Sequence, residues 1–384
     1  SSPEAFLRMT RLLEENQNPW NAARLLQRAD TRTLVVEPPA FPLTGGELDG
    51  VYALPFTGKP HPSTGGDIPA WRVIRHSITV VRGCPGGCTF CALGFHQGKF
   101  VTSRSERSVL EEAKRKVREN PGGLVISDLG GPTANVYGLG CRNRDAMRAC
   151  RRPSCLYPEI CRWFETDQSR YVRLLGAVSA LPGVAGVFVS SGVRYDLALL
   201  DPGFMRALAE RHVPGHLKIA AEHTEDEVLK LMRKPAGETW SRFCREFRAL
   251  SAEAGKEQYI LPYIIAAFPG CTMEHMRRCR GKLEATGALP RQVQIFLPTP
   301  MTIAAAMYHT GLNYFTGEPL KVPRRPSEKN AQKGAVLGVN SSSARRMLRG
   351  RSENPRRRQG GPGFRAAEEG AARRRGKAPQ RRKP

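Results

Sequence analysis

No run in this 384-residue sequence is long and apolar enough to span a bilayer, which excludes a helical membrane protein. The opening residues, SSPEAFLRMTRLLEENQNPW, carry neither an initiator Met nor an apolar run ending in small residues. Such a start predicts further sequence upstream in the natural polypeptide, and a cytoplasmic chain. Without a secretion signal, the 10 cysteines do not read as a disulfide scaffold. They predict reduced thiols serving as ligands or catalysts. Residues 321–384 contain no Trp, Tyr or Ile, yet hold 20 Lys and Arg against 4 Asp and Glu. A segment so poor in apolar side chains cannot offset chain entropy by burial, and it predicts a disordered basic tail. Of the net charge of +25, that tail carries +16. Its simplest role is solvation, and beyond that it suits weak binding to RNA or other anionic surfaces.

Ahead of the tail the chain divides in two. Residues 1–69 begin with Phe6, Leu7, Met9, Leu12 and Leu13 at helical spacing, continued by Trp20, Ala23, Leu25 and Leu26. A Pro- and Gly-rich stretch then reads as a connector. From residue 70 to 320 a rhythm sets in. SITVVRG (Ser77–Gly83), GLVISDLGG, GVFVSSG, HLKIAAEH, QYILPYIIAAFPG and QVQIFLPTP are apolar, β-branched runs that end in polar or turn residues. Helical patterns alternate with them. The first has Val109, Leu110, Ala113 and Val117 on one face and a capping box from Ser103 and Glu106. Six strands alternating with helices predict an α/β fold of parallel units, a partial (β/α)6 TIM-like barrel, with a flavodoxin-like open sheet as the alternative. The polar strand ends would share one rim, where such barrels keep their chemistry.

Seven of the ten cysteines lie between Cys84 and Cys161. Three of these, Cys84, Cys88 and Cys91, sit in RGCPGGCTFCALGFHQG directly after the first strand, with Gly86 and Gly87 allowing a tight turn. A closed zinc site needs four ligands, and His96 is the available fourth. Three unligated thiols are another reading. A 4Fe-4S cluster held by three thiolates, with one iron left open, explains the count directly.

This C-x3-C-x2-C loop, with Phe90 just before its last Cys, resembles the radical S-adenosylmethionine (radical SAM) superfamily. The strings ISDLGGPTANVYGLGC, CRRPSCLYPEIC, SSGVRYD, AGKEQYILPYIIAAFPG and MYHTGLNYFTGEP narrow the resemblance to its YgiQ-type family. The resemblance implies that S-adenosylmethionine binds the open iron. One electron, from a flavodoxin- or ferredoxin-like donor, would then release a 5′-deoxyadenosyl radical that abstracts hydrogen from a substrate. It also implies cofactor contacts from Phe90, from Gly130, Gly131, Pro132 and Thr133 in a Gly-rich turn, from Ser191 and Arg194, and from Glu222 and His223. Ala221 departs from the family, where Pro precedes the Glu-His pair. The alternative for the glycines alone is a generic turn, and for the Glu222–His223 pair it is a hydrogen-bonded structural Glu followed by Thr224 opening a helix.

Cys141, Cys150, Cys155 and Cys161 form a second group, spaced C-x8-C-x4-C-x5-C among Arg142, Arg144, Arg148, Arg151 and Arg152. Four thiolates can close an auxiliary iron–sulfur cluster or a zinc site, or remain free. Cys244, Cys271 and Cys279 read as isolated core or surface thiols. The functional alternatives to a radical SAM enzyme of unknown reaction are a non-catalytic iron–sulfur or zinc module, or an RNA-modifying member of the same superfamily.

Overall fold

Six short parallel strands follow one another in space in the order in which they occur in the chain. The computed structural model describes residues 2–65 and 68–338. Ser77–Thr79 pairs with Asp128–Gly130, and Leu124–Ile126, the other half of the same second strand, pairs with Val184–Val187. A parallel bridge from Val193 to Ile219 carries the third strand to the fourth. His216–Glu222 then pairs with Tyr259–Ala266, whose end pairs with Gln294–Ile295. A flavodoxin-like sheet would place its first strand between the second and third. Here the second strand has the first and third as its neighbours, so that alternative is excluded. Among the described residues the sixth strand forms no pair with the first.

Helices fill the intervals: Glu106–Glu119, Ser169–Ser179, Pro202–Ala207, Gly237–Glu253 and Met273–Ala285. Each buries an apolar stripe against strands built of Val, Ile and Leu. Val80, Val81, Leu129, Val189, Ile219 and Ile264 are all at most 1% exposed. Burying each such side chain contributes roughly 1.5–3 kcal/mol. No described helix is long and apolar enough to cross a membrane.

Several expectations need correction. Helix Pro3–Glu15 stops before Asn18-Pro19, and Leu25–Ala29 is instead a strand, paired antiparallel with Arg32–Val36 around a tight turn. Asp30, at φ 52°, supplies the left-handed residue that this two-residue hairpin requires. The connector also holds a helix, Gly45–Ala53, with a capping box from Thr44 and Glu47. The first barrel helix is capped two residues later than expected. Ser105 Oγ accepts from the Ser108 N–H at 3.1 Å. Ser103 is unavailable because Thr102–Ser103 pairs as a strand with Val81–Arg82, and its hydroxyl accepts from the Gly138 N–H.

The basic tail begins later than expected. Pro326–Leu337 is a helix that buries Gln332, Gly334 and Val336. Gln332 Oε1 accepts from the Ala267 N–H at 2.9 Å, and its amide donates to the Cys271 carbonyl at 3.1 Å. Composition alone hid this helix, because three buried positions in a charged segment barely move its average. The expectation of disorder beyond Gly338 lies outside the described residues.

Candidate metal centre

The loop carrying Cys84, Cys88 and Cys91 leaves the first strand through Gly83, at φ 83°, where a side chain would collide with the Phe100 carbonyl. Local bonds then fix its path. The Cys84 N–H donates to the Gly98 carbonyl and the Cys91 N–H to the Cys88 carbonyl, both at 3.1 Å. Thr89, 2% exposed, pins the middle: its N–H and hydroxyl donate to the carbonyls of Met232 and Leu231, and its carbonyl accepts from Ala304. Sequence reading missed Thr89, since a lone Thr in a loop carries no signal.

The three thiols line one pocket. Beside Gly86 an added Cβ would lie 3.5 Å from Cys84 Sγ and 3.6 Å from Cys88 Sγ. Cys84 Sγ is 3.3 Å from the Thr133 hydroxyl, and Arg194 Nη1 is 3.8 Å from Cys88 Sγ. Burial pushes the Cys88 thiol up, opposed by the nearby charges of Lys234 and Arg194. Burial chiefly, with Cys88 and Cys84 beside it, pushes Cys91 up to about 12. As bare thiols Cys88 and Cys91 resist ionising, and a cationic ligand would draw off their protons. His96 lies elsewhere, on a cavity of about 650 Å³ with Phe95 and Gln97. The expected fourth zinc ligand is therefore missing from the pocket. Among the described residues no three His, Cys, Asp or Glu side chains converge on a single-ion position. Soft sulfur ligands suit zinc or an iron–sulfur group, and with His96 on another cavity the three thiols lack the fourth ligand that a closed zinc site needs.

The Gly-rich turn abuts this loop because nothing larger fits. A Cβ on Gly131 would meet Val81 Cγ1 at 2.6 Å and the Val81 carbonyl at 2.9 Å, and one on Gly130 would meet Ser191 Oγ at 2.5 Å. The Gly130 carbonyl already accepts from Val80 at 2.8 Å. Pro132 is half-buried and Thr133 buried. Ser191 donates its hydroxyl to Asp128, whose other oxygen accepts the N–H groups of Ser190 and Ser191. Arg194, expected as a cofactor contact, does not have its planar fork free for a ligand carboxylate. Asp196 occupies its fork through Nε at 2.8 Å and through Nη2, leaving only the Nη1 edge facing Cys88.

Glu222 and His223 part company. Glu222 ends the fourth strand in a left-handed conformation, φ 66°, and borders a cavity of about 350 Å³ with Phe90, Tyr263 and Phe296. Burial raises its carboxyl pKa, against the nearby charges of Lys234 and Arg194. A non-glycine residue in that conformation costs of order 1–3 kcal/mol, and such residues cluster at functional sites. His223 is fully buried. Its Nδ1 accepts from the Glu225 N–H at 3.0 Å and its Nε2 lies 3.6 Å from Cys271 Sγ. It does not line the pocket of the three thiols, because the left-handed turn at Glu222 ends the strand and both its ring nitrogens face Glu225 and Cys271. Lys234, 3% exposed and donating to the Ala220 carbonyl, is a charged group that sequence reading missed.

Residues 78–280 match the radical SAM superfamily model, residues 1–77 the radical SAM N-terminal model, and residues 291–352 a domain of unknown function, DUF3362. The chain belongs to the radical SAM superfamily. Within it the chain is a UPF0313, or YgiQ-type, protein. It is 48% identical over 345 residues to the UPF0313 protein GSU2873 of Geobacter sulfurreducens, covering 90% of this chain and 56% of that protein. It is 44% identical over 327 residues to a UPF0313 protein of Methanocella arvoryzae, covering 85% and 54%. The chain thus spans about half the length of the curated relatives it matches. Among solved structures, methylornithine synthase is similar at a TM-score of 0.39 and 12% identity, over 77% of this chain and 74% of that one. Coproporphyrinogen III oxidase from Escherichia coli is similar at a TM-score of 0.39 and 14% identity, over 68% and 51%.

In this radical SAM chain the other four clustered thiols, Cys141, Cys150, Cys155 and Cys161, line a separate cavity of about 210 Å³. Burial, with Lys99 opposing it and the other three thiols reinforcing it, pushes Cys155 up to about 12. Cys244, Cys271 and Cys279 are buried in the core, and of the three Cys271 is not isolated, since it faces His223 and lies near Cys279.

Proposed function

We propose that the chain is a radical SAM enzyme in which Cys84, Cys88 and Cys91 hold a 4Fe-4S cluster whose fourth iron takes S-adenosylmethionine. The six strands are read as a partial barrel with this loop at its C-terminal rim. When bound, that pair of cofactors supplies one-electron cleavage of the sulfonium to methionine and a 5′-deoxyadenosyl radical. The electron is assigned to a small reducing protein of the flavodoxin or ferredoxin class.

The observation that carries this reading is the meeting of three uncommitted thiols in one pocket, with Arg194 Nη1 and Thr133 at their edge. The chain's own residues do the positioning. Arg194, held by Asp196, brings positive charge to the sulfurs. Glu222 and Phe90 border the open cavity where a substrate hydrogen would be presented, and Ile265, Ile295 and Leu297 give it apolar walls. Ser191 keeps its oxygen free to accept while its proton is engaged by Asp128.

Anaerobic reconstitution with iron and sulfide, then dithionite and S-adenosylmethionine, tests the proposal. Formation of 5′-deoxyadenosine, lost when any of the three cysteines becomes Ala, is the expected result. An iron-loaded chain that never forms it would be a non-catalytic iron–sulfur module, and a chain loading only zinc would be a zinc module.

A further inference from the structure

The thiols of Cys141, Cys150, Cys155 and Cys161 come from a loop with irregular spacing, yet all four reach one cavity of about 210 Å³. Each stretch between them is held by its own bonds. Cys141 bridges to Phe164, and the short helix Arg144–Ala149 is capped by Asn143, whose Oδ1 accepts from Ala146 at 2.9 Å. Buried Asn18, from the N-terminal segment, donates to the carbonyls of Met147, Arg148 and Cys150 at 3.0, 3.2 and 2.9 Å. The Cys161 N–H donates to the Cys155 carbonyl at 2.8 Å. Four sulfurs are thus preorganised by contacts that would be redundant around a mere thiol-rich insertion.

A second observation points to the charge of the missing ligand. Lys99 is 6% exposed, and its ammonium donates to Cys150 Sγ at 3.4 Å and to the Arg152 carbonyl at 2.7 Å. Among the described residues no carboxylate pairs with it. A buried ammonium without a counter-anion is costly. Four thiolates around a metal group supply that anion at the right place.

The space selects among metals. Zinc draws its sulfurs to about 2.3 Å from one centre, but among the described residues no such single-ion convergence exists. The apolar walls, Phe100, Met147, Trp163 and Phe164, suit a low-dielectric site for a larger cluster. We propose that Cys141, Cys150, Cys155 and Cys161 bind a second, four-thiolate iron–sulfur cluster, with Lys99 as its buried counter-cation. With every iron ligated by protein it has no open position for S-adenosylmethionine. The site shares a wall with the first thiol loop: the Cys155 N–H donates to the Pro85 carbonyl at 2.9 Å and Ser154 Oγ to the Gly86 carbonyl at 2.8 Å. It does not depend on the reading of that loop.

The test uses the full chain, reconstituted anaerobically with iron and sulfide. A Cys84→Ala/Cys88→Ala/Cys91→Ala variant is expected to bind about four irons and four sulfides, the content of a cubane cluster. Its reduced electron-paramagnetic-resonance signal should not respond to S-adenosylmethionine. Zinc in place of iron, or no metal in a variant with native circular dichroism, would overturn the proposal. If that variant does not fold, the unmodified chain and a Cys141→Ala/Cys150→Ala/Cys155→Ala/Cys161→Ala variant decide. The expected iron contents are about eight for the unmodified chain and at most about four for the variant. An unmodified chain that saturates at about four irons overturns it.

Discussion

Asn135 and Arg194 are joined by a reciprocal pair of hydrogen bonds across 59 residues of chain. Asn135 Nδ2 donates to the Arg194 carbonyl at 3.0 Å, and the Arg194 N–H donates to Asn135 Oδ1 at 2.8 Å. Asn135 is fully buried, and its amide also donates to Gln168 Oε1 at 2.9 Å. The end of the Gly-rich turn is thereby locked to the residue whose guanidinium faces Cys88.

Asn135→Ala would strand the Arg194 N–H and the Gln168 carbonyl oxygen away from water. At 1–3 kcal/mol for each unsatisfied group, the expected loss is about 2–6 kcal/mol. Urea unfolding checks it, and a midpoint unchanged from the parent would mean that water or a shifted side chain replaces both bonds.

Gly131→Ala drives a methyl into Val81, and such overpacking typically costs 1–3 kcal/mol. Val81→Ala in the same chain removes the Cγ1 contact at 2.6 Å but leaves the carbonyl at 2.9 Å. The pair should therefore recover only part of the loss expected by addition. A double-mutant cycle on unfolding free energy measures this, and simple additivity would show that the two residues do not meet.

His223 makes stability fall in acid. Burial is the largest cause that depresses it to about 3, with His275, Lys282 and Arg278 adding repulsion. The unfolded chain takes up this proton below about pH 6.5, while the folded chain refuses it until about pH 3. The unfolded state thus binds more protons in that window, and stability declines as pH drops through it. His223→Asn, which keeps an acceptor for the Glu225 N–H, should show a shallower loss between pH 7 and pH 5 than the parent. Parallel pH profiles for the two chains would contradict this account.

Two truncations distinguish the contribution of helix Pro326–Leu337 from that of the residues after Gly338. Stopping after Leu320 removes Gln332 and leaves the Ala267 N–H without its acceptor, at a residue already in a left-handed conformation, φ 60°. Val336 also leaves the core. A loss of at least about 3 kcal/mol is expected from one orphaned group and one buried aliphatic side chain. Stopping after Gly338 removes 15 Lys and Arg with 3 Asp and Glu. That cut should leave the unfolding midpoint unchanged and flatten the salt dependence of any RNA binding. Equal melting of the two shortened chains would deny the helix a structural role.

Strand positions were legible because short apolar runs with Val, Ile or Leu at their buried positions recur six times between helical patterns. The C-x3-C-x2-C loop was legible too, since its three cysteines are close in sequence and their spacing brings them to one pocket. The helix over Pro326–Leu337 was not, because its few buried contacts are invisible in a charged average. Nor were Thr89, Lys99, Asn135 and Lys234. Each acts through partners 14 to 142 residues away, and no local pattern encodes such a meeting. Periodicity determined the α/β class, spacing singled out the three thiols, and the resemblance of the motif strings pointed to the family. Tertiary structure decided that Asp196 fills the fork of Arg194, that His223 turns away, and that four irregularly spaced cysteines share one cavity. The reason is physical: periodicity sets which residues are buried, but only packing decides which buried polar groups satisfy one another.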